Sequence, residues 1–155
     1  MASARAIIHE YSTRLDGLFK KASAIQDLEA KAHWTRYLCV LASGYLEVSV
    51  RSIAEEYAAT VAHPNVANFV ASSIEDFHNP RMEKILEVVR CFNSGWAAEL
   101  EKACEGELKA SVDSIVINRH LIAHGNWTGL SFGVMSRYYD GASKVVNLLL
   151  IRFSL

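Results

Sequence analysis

The residues of this chain best equipped for chemistry lie in one short run, INRHLIAHGNW, from Ile117 to Trp127. An arginine and two histidines interrupt an otherwise apolar helical pattern just before a glycine. At 100° per residue, Leu108, Val112, Ile115, Val116, Ile122 and Ala123 form one apolar stripe with Arg119 in its middle. His124 falls about 140° away from Arg119, near Asp113, Ile117 and His120, with Leu121 beside them. A helix apolar on two sides needs two packing partners, its own bundle and a second chain.

Three readings fit that run. In the first, Arg119 pairs with a buried carboxylate while the histidines bond terminal carbonyls at the helix's negative end. In the second, His120 and His124 bind zinc; their spacing suits a metal, yet no glutamate stands between them and no third ligand is evident, so no metal or other cofactor is expected. In the third, the residues break a phosphodiester. A guanidinium binds phosphate and stabilises the charge gained in the transition state, and imidazole, which ordinarily titrates near neutrality, moves the protons. Arg119 and His124 are five apart and do not stack in an ideal helix; a loosened last turn before Gly125 would bring them together.

The elements that must position these groups all read as helices. Apolar residues recur at a 3.6 period nearly throughout, and only Pro64 and Pro80 interrupt them, so the class is all-α. The pattern predicts helices over residues 4–24, 27–61, 66–77, 81–92, 95–104, 107–124 and 132–153. Asp27, Ser94 and Ser131 are the expected N-caps, HPN ends the second helix, and Pro80 suits the first turn of the fourth. Gly125 stands where a left-handed residue closes a helix. The simplest architecture is a single domain, 1–155: a helical bundle with a long second helix and a small helical insertion.

Composition narrows the function classes. In 155 residues, 16 basic and 17 acidic side chains nearly cancel, so no whole-molecule field drives the chain toward DNA or an anionic membrane. Three widely spaced cysteines, Cys39, Cys91 and Cys104, make neither a disulfide framework nor a thiolate zinc site, which suits a reducing cytoplasm. The first residues carry charge and do not read as a signal peptide or anchor, and the apolar VVNLLLIRFSL falls short of the roughly 20 residues a spanning helix needs.

Arg119 with His124 in RHLIAHG, with the polar His120 directly after the arginine, resembles the R-x4-H signature of the HEPN superfamily. YLCVLASGYLEVSVRSIAEEYA on the long second helix, NP opening a later helix, NRHLIAHG, and a final amphipathic helix with YY are similar to the RiboL-PSP branch. The resemblance implies an all-α bundle that forms a homodimer, so that two motifs meet across a shared cleft. It implies a metal-independent endoribonuclease with Arg119 on the phosphate, His124 as acid or base at the ribose 2′-hydroxyl, and His120 supporting. Such proteins are commonly prokaryotic toxins or defence effectors, which makes RNA and an antitoxin or other partner protein the expected partners. The family also contains inactive members, so a dimer that binds RNA, nucleotide or protein without chemistry is the alternative. Members silenced by nucleotide transfer carry a tyrosine two positions after the histidine; here that position is Asn126.

Glu47, Arg51, Asn118 and Asn126 are the candidates to bind substrate or support the catalytic groups. Glu47 and Arg51, four apart on the second helix, either form an exposed ion pair or let Glu47 orient Arg119 or a histidine. Arg51, Arg119 and Arg137 from both chains are the expected phosphate contacts. Trp34, Tyr37 and Tyr45 share an apolar face and read as core. Of Tyr138 and Tyr139 only one can face inward, and Trp127 either lines the cleft or anchors the turn.

Overall fold

The computed structural model describes residues 2–155 as seven helices, with no strand among the described residues. They are α1 (Ala4–Ser23), α2 (Leu28–Val61), α3 (Pro64–Ile74), α4 (Met82–Phe92), α5 (Ser94–Cys104), α6 (Glu107–Ala123) and α7 (Phe132–Arg152). The long helices α1, α2, α6 and α7 form the bundle, and α3 to α5 are inserted between α2 and α6.

Helix α2 is the axis. Its 34 residues span about 50 Å and contact α1, α3, α6 and α7. Contact on so many sides explains why its buried residues, among them Leu38, Cys39, Ala42, Leu46, Val50, Ile53 and Ala58, do not keep to one stripe. Small residues set the approach distances. A Cβ on Gly44 would stand 2.7 Å from the Tyr11 hydroxyl, which donates to the Leu41 carbonyl. A Cβ on Gly141 would stand 2.5 Å from Ser111 Oγ, so α6 and α7 cross where both side chains are minimal. Phe19 stacks on Tyr139 at 4.8 Å between α1 and α7. The insertion is pinned by Tyr57, Phe92, Trp96 and Phe153, whose rings meet edge to face at 5.2 to 5.7 Å, a favoured aromatic geometry.

The caps explain both the agreement and the departures. Asp27 accepts from Ala30 N and Ser131 from Val134 N, as expected of N-caps. Asn93, not Ser94, caps α5, accepting from Trp96 N at 3.0 Å, and Ser94 becomes the first helical residue. Helix α3 departs most. HPN opens it as well as ending α2: His63 Nδ1 accepts from Asn65 N, and Pro64 occupies the first turn, where its missing N–H is no loss. It ends at Ile74, and Phe77 is buried beyond its end. Pro80 lies outside α4, whose N-cap Arg81 makes no side-chain bond; the amide of Met82 is taken instead by Asp113 Oδ1 from α6 at 2.8 Å. Helices α1 and α7 close one residue earlier than expected, at Ser23 and Arg152.

Candidate functional site

The buried face of α6 is built from Val112, Ile115 and Val116, with Leu108 and Ile122 packed against it. Ala123, expected on this stripe, is exposed, because the stripe passes beyond the bundle in the last turn. The helix ends at Ala123, one residue before the expected position, with His124 as its C-cap. Gly125 takes φ +72°; its N–H donates to the Ile122 carbonyl at 3.1 Å, and Asn126 N–H donates to the Leu121 carbonyl at 2.9 Å. These two bonds are the Schellman closure that a left-handed glycine permits. Beyond it Trp127 is 79% exposed. Its ring lies over Gly129, where a Cβ would stand 2.8 Å away, so the tryptophan folds against its own turn rather than into the core.

The last turn brings the imidazoles together. His120 and His124 are both exposed, with ring centroids 4.4 Å apart and planes at 58°. Among the described residues no group of three His, Cys, Asp or Glu gathers where it could hold a metal, so the pair has no third ligand.

Arg119 turns the other way. It is half-buried, and its Nη1 donates to Asn79 Oδ1 in the loop between α3 and α4 at 3.3 Å. Asn79 in turn donates its backbone N–H to Glu47 Oε1 on α2 at 3.1 Å. A carboxylate therefore does stand behind the arginine, but one residue removed. Glu47 and Arg51 are not an ion pair: Arg51 Nη1 donates to the Glu75 carbonyl below α3 at 3.1 Å. Asn118 is occupied within its helix, donating to the Ser114 carbonyl at 2.8 Å, and Asn126 is exposed.

The site is thus gathered in two groups. Arg119 and Glu47, bridged by Asn79, form one and His120 and His124 the other, and among the described residues no hydrogen bond joins the two groups within one chain. The loosened turn that would bring Arg119 to His124 is not there; the Schellman closure and the Asn79 bond hold each in place. Arg137 is set apart, exposed on α7 with Glu105, Glu107 and Asp140 beside the opening turn of α6, the opposite end of that helix from Arg119. Asn79 was missed from sequence. Its signal was the NP pair, which marks a turn and says nothing of what the side chain reaches 40 positions later.

The second face of α6 is divided along its length. Asp113 accepts from Met82 N with one oxygen and from Lys109 Nζ with the other at 2.8 Å, so the insertion covers the early part. Ile117, 41% exposed, lies uncovered with His120 and His124 on the later part. On α2, Tyr37 and Val40 are also exposed, and between them Cys39 donates its thiol to the Ile115 carbonyl. The expectation that Tyr37 belongs to the core is corrected: it touches Trp34 edge to face but stands half in solvent. Tyr45 and Tyr139 are buried, and Tyr138 is the half-buried member of its pair.

This all-helical bundle, with an arginine and a histidine closing a penultimate helix, agrees with a comparison of the whole sequence. The family model described as RiboL-PSP-HEPN matches residues 7–154. The chain belongs to the RiboL-PSP-HEPN family. No curated protein and no solved structure matches it. Membership in this HEPN family supports a nuclease or RNA-binding domain. Among the described residues no helix is long and apolar enough to cross a membrane.

Proposed function

We propose that this HEPN chain is an endoribonuclease that works as a homodimer without a metal ion. In this reading the 2′-hydroxyl of RNA loses its proton to an imidazole and attacks the adjacent phosphorus. The 5′-oxygen leaves with a proton from the conjugate acid, giving a 2′,3′-cyclic phosphate and a 5′-hydroxyl. Arg119 holds the non-bridging oxygens, His124 carries the proton transfer and His120 supports it.

The observation that carries the reading is the end of α6, where two exposed imidazoles 4.4 Å apart close the same helix that presents Arg119. Asn79 occupies one nitrogen of the guanidinium, leaving its other donors for a phosphate. Because Arg119 and His124 are not bonded within one chain, a cleft shared by two copies is the natural place for them to act together. The separate task of a toxin or defence effector, restrained by an antitoxin, fits a small ribonuclease of this family.

Purified protein incubated with RNA in EDTA should give fragments ending in 2′,3′-cyclic phosphate, and Arg119→Ala and His124→Ala should each lose this activity. If the wild type binds RNA in an Arg119-dependent way yet never cleaves it, the chain is a binding module instead. Cleavage that survives in both variants removes these residues from the chemistry.

A further inference from the structure

Asn79 has a backbone and a side chain that together do something the nuclease reading does not itself require. It lies at φ +52°, one of only two non-glycine residues with positive φ among the described residues. Asparagine enters the left-handed region more readily than most residues, but here it also precedes a proline, which favours an extended conformation at that position. Such a conformation persists where the surroundings impose it. Glu47 on α2 takes the Asn79 amide, Arg81 N donates to the Asn79 carbonyl at 2.9 Å, and Asp113 on α6 takes the amide of Met82. Pro80 between them is buried. The turn is therefore clamped from two helices, and the group it presents is the Asn79 carboxamide oxygen, 3.3 Å from Arg119 Nη1.

The chemistry of that acceptor matters. A carboxylate against a guanidinium forms a strong bidentate pair that occupies two donors and offsets the charge. A phosphate would then have to displace it. An amide oxygen fixes the direction of the guanidinium with one bond and leaves its charge uncompensated. The nearby carboxylate, Glu47, is engaged by the Asn79 backbone and kept one residue away. We propose that Asn79 is the positioning residue for Arg119, a neutral spacer that aims the guanidinium while holding Glu47 off it. This rests on the ribonuclease reading for its kinetic consequences but not for its structural ones.

Two substitutions separate the parts. Asn79→Gly keeps the left-handed backbone and the Glu47 bond while removing the acceptor. Asn79→Asp keeps the acceptor and adds the charge. On the nuclease reading, Asn79→Gly lowers kcat by about 10- to 100-fold with little change in KM, the scale of a misaimed catalytic group. Combined with Arg119→Ala it adds no further loss, because both act through one side chain. Asn79→Asp instead raises KM for RNA, with weaker binding at low salt. Independently of activity, the Arg119 Nε–Hε resonance of the intact protein should show a high heteronuclear NOE that falls in Asn79→Gly and not in Asn79→Asp. Should the wild type prove inactive, the ribonuclease reading fails while the resonance still decides whether Asn79 positions Arg119. Wild-type cleavage by Asn79→Gly, additive losses in the double variant, or an unchanged Arg119 resonance would each overturn the proposal.

Discussion

At the scale of single residues, the organising feature is a chain of three groups drawn from distant positions: Glu47, Asn79 and Arg119. Glu47 acts on backbone, so its loss should be felt first as stability. Glu47→Ala leaves the half-buried Asn79 amide without its acceptor, and an orphaned polar group of this kind costs about 1–3 kcal/mol. Glu47→Gln retains an acceptor oxygen and should recover most of it. Urea unfolding of the two variants checks this; equal midpoints for Glu47→Ala and wild type would show that the bond does not hold the turn. The sequence carried half of this arrangement. Arginine in the middle of an apolar stripe demanded a partner, and Glu47 was a fair candidate because it is acidic on the neighbouring long helix. The intermediary was illegible, since a side-chain bond across 40 positions leaves no periodic trace.

At the scale of elements, helix ends were legible where the signal was local and less so where it was shared. Asp27 and Ser131 cap as expected because an N-cap needs only its own side chain and the next turn. HPN follows the end of α2 as expected, but His63 and Pro64 also open α3, two residues before its expected start, because one short run serves both helices. For α6 the glycine is the clear signal, but His124 is already the C-cap, so the ideal 100° spacing loses meaning there. The position of His124 consequently depends on Gly125. Gly125→Ala places a Cβ at φ +72°, and at a left-handed helix end this should cost about 1 kcal/mol. Thermal unfolding should show the loss, and on the ribonuclease reading RNA cleavage should fall with it as the imidazole pair loses its fixed separation. Gly125→Asn, which enters that region more readily, should fall between alanine and glycine.

At the scale of the whole molecule, the burial of neutral ionisable groups makes the fold lose stability as pH rises into the alkaline range. Burial pushes the Cys39 thiol up to about 12, and burial, aided by the Asp16 carboxylate, raises Tyr139; Tyr45 and Cys104 are raised by burial as well. All are neutral in the folded state and ionise more readily once unfolded. Their stabilisation is therefore complete below the unfolded values, near pH 9 for the thiols, and declines as pH rises toward the folded ones. Urea midpoints should fall steadily from pH 9 to 11, with Cys39→Ala flattening part of that slope; a midpoint that holds or rises would contradict it. The same scale governs assembly. On the homodimer reading, two groups of exposed apolar residues are candidates for the contact: Ile117 on α6 with Tyr37 and Val40 on α2, and Val61, Val66 and Phe69 around α3. The second also borders a groove of about 720 Å³ between Tyr57, Phe69 and Phe92. The ribonuclease reading favours the first, because Ile117 shares the later part of α6 with His120 and His124. With a net charge of −1, long-range repulsion between copies is slight, so contact at either face is governed by short-range packing. Ile117→Asp should therefore yield a folded monomer without ribonuclease activity, while Phe69→Asp remains dimeric and active. Sedimentation at several concentrations beside a cleavage assay distinguishes them, and a dimer broken by Phe69→Asp but not by Ile117→Asp would move the interface to α3 and leave the two motifs apart.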